Sequence, residues 1–425
     1  MIAINEVTKL LRNIEMEDIF LLITQNINKC LLSKLAKDYY EKDFHAEYQK
    51  RNIALKVHFQ QLICLLNNID FRNQCEKETD TLSLLLIMYL ELKSTGPWNA
   101  EETKHEEYSK NINDLFIDKY GIHVSVVMEK DIFNKQVIFD KCIEILHKKM
   151  TINDLKKYPT LIEVYCLLVN EVKSYKIKIN PVSVLPAALL LIDDFVNSNK
   201  IKGLQSCTAV LQCLTMEDFT VGNYYEVVYS SLKKNITEKD KDVTQALFTC
   251  FIEFLKLVPA DIKKIKLDDI YASLVDQLLT ETNLYRKADH FIFTTKIIEM
   301  HGIHCVKKKV FKDIVRENLD ICSNDSVYEI LLQPVLECYQ MWIRHCWCTW
   351  KFSADHKILS SLFKILYLAK ENTIRIQVQN LILTLIKLCS KEKQIDILEN
   401  LQGPINCTNN DFLTRLDTIK KHLCT

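Results

Sequence analysis

Three groups of side chains in this sequence have the types and spacing that chemistry needs. Asp193 and Asp194 stand side by side at the end of an apolar run. Paired carboxylates can hold a hard cation or divide acid and base roles between them. His345, Cys346 and Cys348, with Cys338 seven residues before His345, gather soft donors of the kind that bind zinc. His301, His304 and Cys305 form a second such group, and a thiol beside an imidazole can act as a nucleophile with its base.

Each group has a plainer reading. Adjacent helical residues diverge by about 100°, so the two acids converge only if a turn brings them round. At a helix end they would instead cap orphan N–H groups and pair with Lys200 or Lys202. Cys-x-Cys turns its thiols onto different helix faces, and no second ligand pair of matching spacing accompanies it. Gly302 marks a helix end, so His301 to Cys305 reads as a turn between helices. The expectation is no catalytic residue, no metal and no cofactor. Trp342, Trp347 and Trp350 are then expected to form a seam between hairpins or toward a partner.

Glycine narrows the field further. There are six glycines and seven prolines in 425 residues, against a usual glycine frequency of about 7%. The closest two glycines are Gly203 and Gly222, so neither a dinucleotide fingerprint nor a phosphate-cradling loop can be written. Sheets and tight hairpins also consume glycine; helices joined by polar turns do not. The composition predicts an all-α chain. Lys+Arg and Asp+Glu balance at 55 each, which gives no global field for nucleic acid or an anionic membrane. The sixteen cysteines sit mostly among apolar neighbours, as free buried thiols do in a reducing compartment. With no apolar run near the ~20 residues that span a bilayer, the sequence is expected to be cytoplasmic, and nuclear as a second location.

The elements that would position these groups are amphipathic helices. Residues 1–93 read as long helices, with one stripe through Leu10, Leu11, Ile14, Ile19, Leu22 and Ile23 and another through Ile53, Val57, Leu62, Leu65 and Leu66. Gly96-Pro97 opens what reads as an irregular connection over 94–130. From 131 to 425 short helices recur in pairs, the second of each pair centred near Cys207, Thr249, Phe293, Leu336 and Ile382. Those centres are 42 to 46 residues apart, the period of HEAT or armadillo repeats. Pro186, then Asp194, then Lys200 and Gly203 carry the spacing of a HEAT-type hairpin, with Pro186 in the first turn of its helix. Glu281 to Lys287 echoes the Asp–Lys spacing, and elsewhere no such ladder is expected. The prediction is an α-solenoid of HEAT-like antiparallel hairpins, in which each unit buries its stripe on the next.

The segment Pro181–Leu214 resembles the signature region of the Tti-two family, the second Tel-two-interacting protein. The residues that carry this are Leu185-Pro186, Leu191-Ile192-Asp193-Asp194, Asn199-Lys200, Gly203-Leu204 and Cys207. Tyr225–Leu255 keeps the family's order, and Arg286, Ile297, Gly302 and the helix Leu331–His345 are similar to its later portion. The resemblance covers roughly half of the chain and leaves residues 1–150 unmatched. It implies a non-catalytic scaffold subunit of a Triple T-like co-chaperone complex, which supports folding, assembly and stability of phosphatidylinositol-3-kinase-related kinases. The implied partners are Tti-one-like and Tel-two-like HEAT-repeat proteins, with the ninety-kilodalton heat-shock chaperone and its adaptor complex acting indirectly. The alternative from the residues alone is a stand-alone adaptor or transport solenoid that binds peptide segments in its concave groove.

Overall fold

Long stretches of leucine, isoleucine and polar residues at helical spacing, with few glycines to interrupt them, leave the backbone one way to satisfy its polar groups. A computed structural model describes residues 16–40, 44–73, 75–99, 102–352, 356–401 and 409–424. Among these are twenty α-helices, five 3₁₀ turns and no strand. The chain is an all-α, solenoid-like succession of helical hairpins. No helix among the described residues is long and apolar enough to cross a membrane.

The chain divides into two units, residues 1–232 and 233–425. The first contains α1 (Met16–Cys30), α2 (Ala46–Leu66), α3 (Glu76–Lys93), α4 (Glu102–Tyr120), α5 (Lys135–Lys149), α6 (Pro159–Asn170), the one-turn α7 (Val172–Tyr175), α8 (Pro181–Ile192), α9 (Asn197–Leu211) and α10 (Met216–Val221). Here α5 packs against both α3 and α8, α6 against α3 and α9, and α8 lies along α9. Each hairpin is thus sandwiched between neighbours, and the core is a series of interfaces. The helix α11 (Tyr224–Lys234) carries the division between the units.

The second unit contains α12 (Lys241–Leu257), α13 (Ala260–Thr280), α14 (Leu284–His301), α15 (Phe311–Ile321), α16 (Asp325–Phe352), α17 (His356–Leu368), α18 (Asn372–Leu388), α19 (Lys391–Leu401) and α20 (Asn410–Cys424). One layer stacks α12, α14, α16, α18 and α20; the other stacks α13, α15 and α17. Cys207, Thr249, Phe293, Leu336 and Ile382 all fall inside helices, and the last four lie in α12, α14, α16 and α18 of one layer. Within the second unit the sequence period is therefore the repeat of the stack.

Several expectations need correction. Residues 94–130 hold the nineteen-residue α4 as well as loops, and the division between units falls after Leu232 and not near 130. Leu10, Leu11 and Ile14 lie outside the described residues. On α2 the buried face is Tyr48, Arg51, Leu55, Phe59, Leu62, Leu65 and Leu66, so Ile53 and Val57 turn outward. Arg51 is buried in their place because it pairs with Glu91 of α3 at 2.9 Å. Its guanidinium also donates to Asn99 Oδ1 at 2.7 Å and to the Cys30 carbonyl.

Candidate functional site: the acidic turn and the contacts between hairpins

The Asp193–Asp194 turn is built by two helices that approach too closely for any side chain larger than hydrogen at one point. A Cβ on Gly203 would lie 2.6 Å from the Ile192 nitrogen and 2.7 Å from the Ala188 oxygen. α8 begins at Pro181, capped by the Asn180 side chain, which accepts from the Val182 N–H. Pro186 therefore sits in the interior of α8 and not in its first turn, at the sixth helical position. α8 is only twelve residues long, and Tyr165 Oη donates to the Val184 carbonyl at 2.8 Å beside the proline.

The two acids diverge and serve different neighbours. Asp193 Oδ1 accepts from Ser231 Oγ at 3.0 Å, toward the following hairpin. Asp194 is buried. Its Oδ1 accepts from the Val196 N–H at 3.1 Å, its Oδ2 from Asn199 Nδ2 at 3.0 Å, and Lys156 of the preceding hairpin pairs with it at 3.3 Å. The capping expectation is met through Val196, the residue before the first turn of α9. Its ion pair is with Lys156, whereas Lys202 is bound to Glu163. Lys200 is half-buried in the first turn of α9. This arrangement is a staple through three successive levels of the stack. The carboxylates do not face one another, so a shared ion or an acid/base division is foreign to the geometry.

The ladder expected at this hairpin, with an echo at Glu281–Lys287, has counterparts within the second unit, most of them in other residue types. Within the second unit, Lys233 reaches Asp269, Gln245 reaches Asp289, Ser361 reaches Asp320 and Gln377 reaches Gln340, at sequence separations of 36 to 44 residues. Arg415 likewise joins Gln379 and Asn372. The Glu281 echo is closed by Arg286 and not by Lys287; burial lowers the Lys287 ammonium pKa instead. Of these contacts, Lys233–Asp269 joins charged partners 36 residues apart, and the others put Gln, Ser or Arg where an Asp–Lys search expects a lysine.

The two soft-donor groups come to one place. α14 ends at His301, Gly302 takes φ +61°, and the following turn lies on α16. Cys346 Sγ lies 3.7 Å from the Gly302 oxygen. Cys305, Cys338 and Cys346 are all buried. Burial pushes the Cys338 and Cys346 thiols up to about 12 and raises Cys305 as well. Burial in this way favours the protonated thiol at neutral pH. His301 Nε2 meets Asp268 Oδ1 at 2.9 Å, and Lys307 meets the same carboxylate at 2.7 Å. Burial works to raise the Asp268 pKa, but Lys307 and His301 hold it below the usual value. Burial lowers the His301 pKa, against the pull of Asp268. Among the described residues no group of three or more His, Cys, Asp or Glu is placed to hold a metal ion.

Two of the three tryptophans singled out in the sequence are buried and one is not. Trp342 and Trp350 are buried, Trp342 against Phe311 and Tyr339, and Trp350 Nε1 donates to the Leu385 carbonyl at 2.7 Å. Trp347 is 44% exposed. It lies off the 342–346–350 row, and α16 kinks at Cys346, where φ is −114° and ψ is 24°.

No family model matches the chain, and no curated protein matches it. Among solved structures the chain is similar to an engineered protein known from a crystal structure. The two share 12% identity over 99% of each chain, with a TM-score of 0.46. A likeness of that strength carries no argument about what the chain does.

Proposed function

We propose that the chain is a non-catalytic scaffold subunit of a Triple T-like co-chaperone complex, working in the cytoplasm and nucleus to support folding and stability of phosphatidylinositol-3-kinase-related kinases. The observation that carries this reading is the hairpin Pro181–Leu214. The residues that resemble the Tti-two signature are those that close α8 on α9 and staple three levels of the stack, through Gly203, Asp193 and Asp194. A motif whose parts are used up in packing speaks for a molecule that works by its surface. Large apolar side chains stand in solvent in both units, among them Phe195, Val221, Ile265 and Trp347, as a subunit awaiting a partner would show.

In this proposal a Tti-one-like HEAT-repeat protein forms the main interface, burying on the order of 2,000 Å², with a Tel-two-like protein and the heat-shock chaperone joining through it. Affinity capture from cells of a tagged chain, followed by mass spectrometry, tests the reading. Tti-one-like and Tel-two-like proteins should co-purify, and depletion of the chain should lower the steady-state level of the client kinases. Capture that returns neither protein, with kinase levels unchanged, overturns it.

A further inference from the structure

We propose that a polar cavity within the second unit binds a phosphate group, free or esterified. The cavity, of about 470 Å³, is lined by the segment before α12, the end of α13 and the turn into α14. Thr237, Lys239, Gln277, Glu281, Thr282 and Arg286 are among its walls. This inference does not rest on the co-chaperone reading.

The polar groups left free at the cavity are donors. Lys239 is exposed, and no carboxylate among the described residues pairs with its ammonium. The Thr237 and Thr282 hydroxyls are likewise engaged by no described residue. Arg286 is the buried part of the wall, only 7% exposed. Its Nη1 pairs with Glu281 and its Nη2 donates to the Glu238 carbonyl. Its Nε–H is buried and meets no acceptor among the described residues. A charged donor sealed in this way is costly, and an acceptor from outside the chain would relieve it.

The acceptors, by contrast, are taken. Glu281 is held by Arg286 and by the Asn283 N–H, the latter at 2.7 Å. The Gln277 carbonyl, at the end of α13, accepts from the Glu281 N–H at 2.8 Å. Asn283 lines the cavity and caps the eighteen-residue α14 by accepting from the Arg286 N–H at 3.1 Å. The cavity therefore opens at the positive end of that helix.

Two cations stand here against one carboxylate that is already engaged. A cationic ligand would find no free counter-charge, and a neutral one would leave Lys239 unanswered. The donors also come from three separate segments of chain. A tetrahedral group with three acceptor oxygens answers more of them than a planar carboxylate does.

The test is isothermal titration calorimetry at fixed ionic strength on the full chain, purified in the assembly that keeps it in solution. The probes are inorganic phosphate, N-acetyl-O-phosphoserine amide and acetate. Both phosphates should bind saturably, and acetate should not. Tighter binding of the phosphoserine amide would make a phosphorylated side chain the source, and tighter binding of inorganic phosphate the free anion. Lys239→Ala should weaken either about tenfold, the size of a lost charge-assisted contact. Lys239→Arg should retain binding, and Lys296→Ala, at an exposed position of α14 outside the cavity, should leave it unchanged. No saturation at tens of millimolar phosphate, acetate binding as well as phosphate, or full affinity in Lys239→Ala would overturn the proposal.

Discussion

Asp194 concentrates more of the local structure than any residue near it, since one buried carboxylate serves a backbone N–H, an amide and an ammonium. Asp194→Ala removes all three acceptor contacts and leaves Lys156 without its partner, so a loss of about 2 kcal/mol is expected in urea unfolding at neutral pH. Asp194→Asn keeps the oxygen that caps Val196 and should lose less. Equal midpoints for wild type and Asp194→Ala would contradict the staple. His290 offers a second test. Its side chain is buried, with Nδ1 2.7 Å from the Arg286 oxygen, and burial lowers its pKa, as it does for His301. In the unfolded chain imidazoles take protons below about pH 6.5, which the folded chain resists. The unfolded state then binds more protons, so stability is complete above that pH and falls as the solution is acidified through it. The melting temperature should drop between pH 7.5 and 5.5, and His290→Phe, which keeps a ring against Phe248, should flatten the slope. An unchanged slope would place the titration elsewhere.

At the scale of elements, the close contact of α8 with α9 depends on the absence of a Cβ at residue 203. Gly203→Ala should cost about 1–3 kcal/mol despite its better helix propensity, because the methyl group meets backbone that cannot move alone. A stabilised Gly203→Ala variant would show that the helices are not so near. The Arg51–Glu91 pair joins α2 to α3 with both side chains sealed from water. Arg51→Ala leaves a buried carboxylate unpaired and should cost about 3–5 kcal/mol, whereas Arg51→Met with Glu91→Leu should recover much of it. A double variant no better than the single would refute that account. The helices themselves were legible because apolar spacing recurs and glycine does not interrupt it. What was not legible follows from partners distant in sequence. Arg51 looks like a surface residue until Glu91 faces it, and Ile53 looks like core until Arg51 takes the inward face. The kink at Cys346 has no proline or glycine beside it to announce it.

Within the second unit the period of 43 to 46 residues read from helix centres is the repeat of the stack, since each hairpin touches mainly its neighbours. The division after Leu232 could not be read the same way. Linkers betray themselves by composition, but here the boundary runs through α11, while the clearest break in the sequence, Gly96-Pro97, lies within the first unit. If a partner covers the exposed apolar side chains, it should raise apparent stability by mass action, about 2.7 kcal/mol at one hundred times its dissociation constant. Co-expression with a Tti-one-like protein should therefore turn a poorly soluble chain into a soluble complex; a monodisperse, high-melting monomer indifferent to that protein would count against the proposed role. The bend at Cys346 has a use at the bench. Of the four indoles, Trp98, Trp342 and Trp350 are buried and Trp347 is not, so the emission of the folded chain contains a single component open to collisional quenchers. Lys351, 5.8 Å from that ring, should favour iodide over caesium as the quencher, which makes the end of α16 an optical reporter of anything that settles upon it, with no label attached.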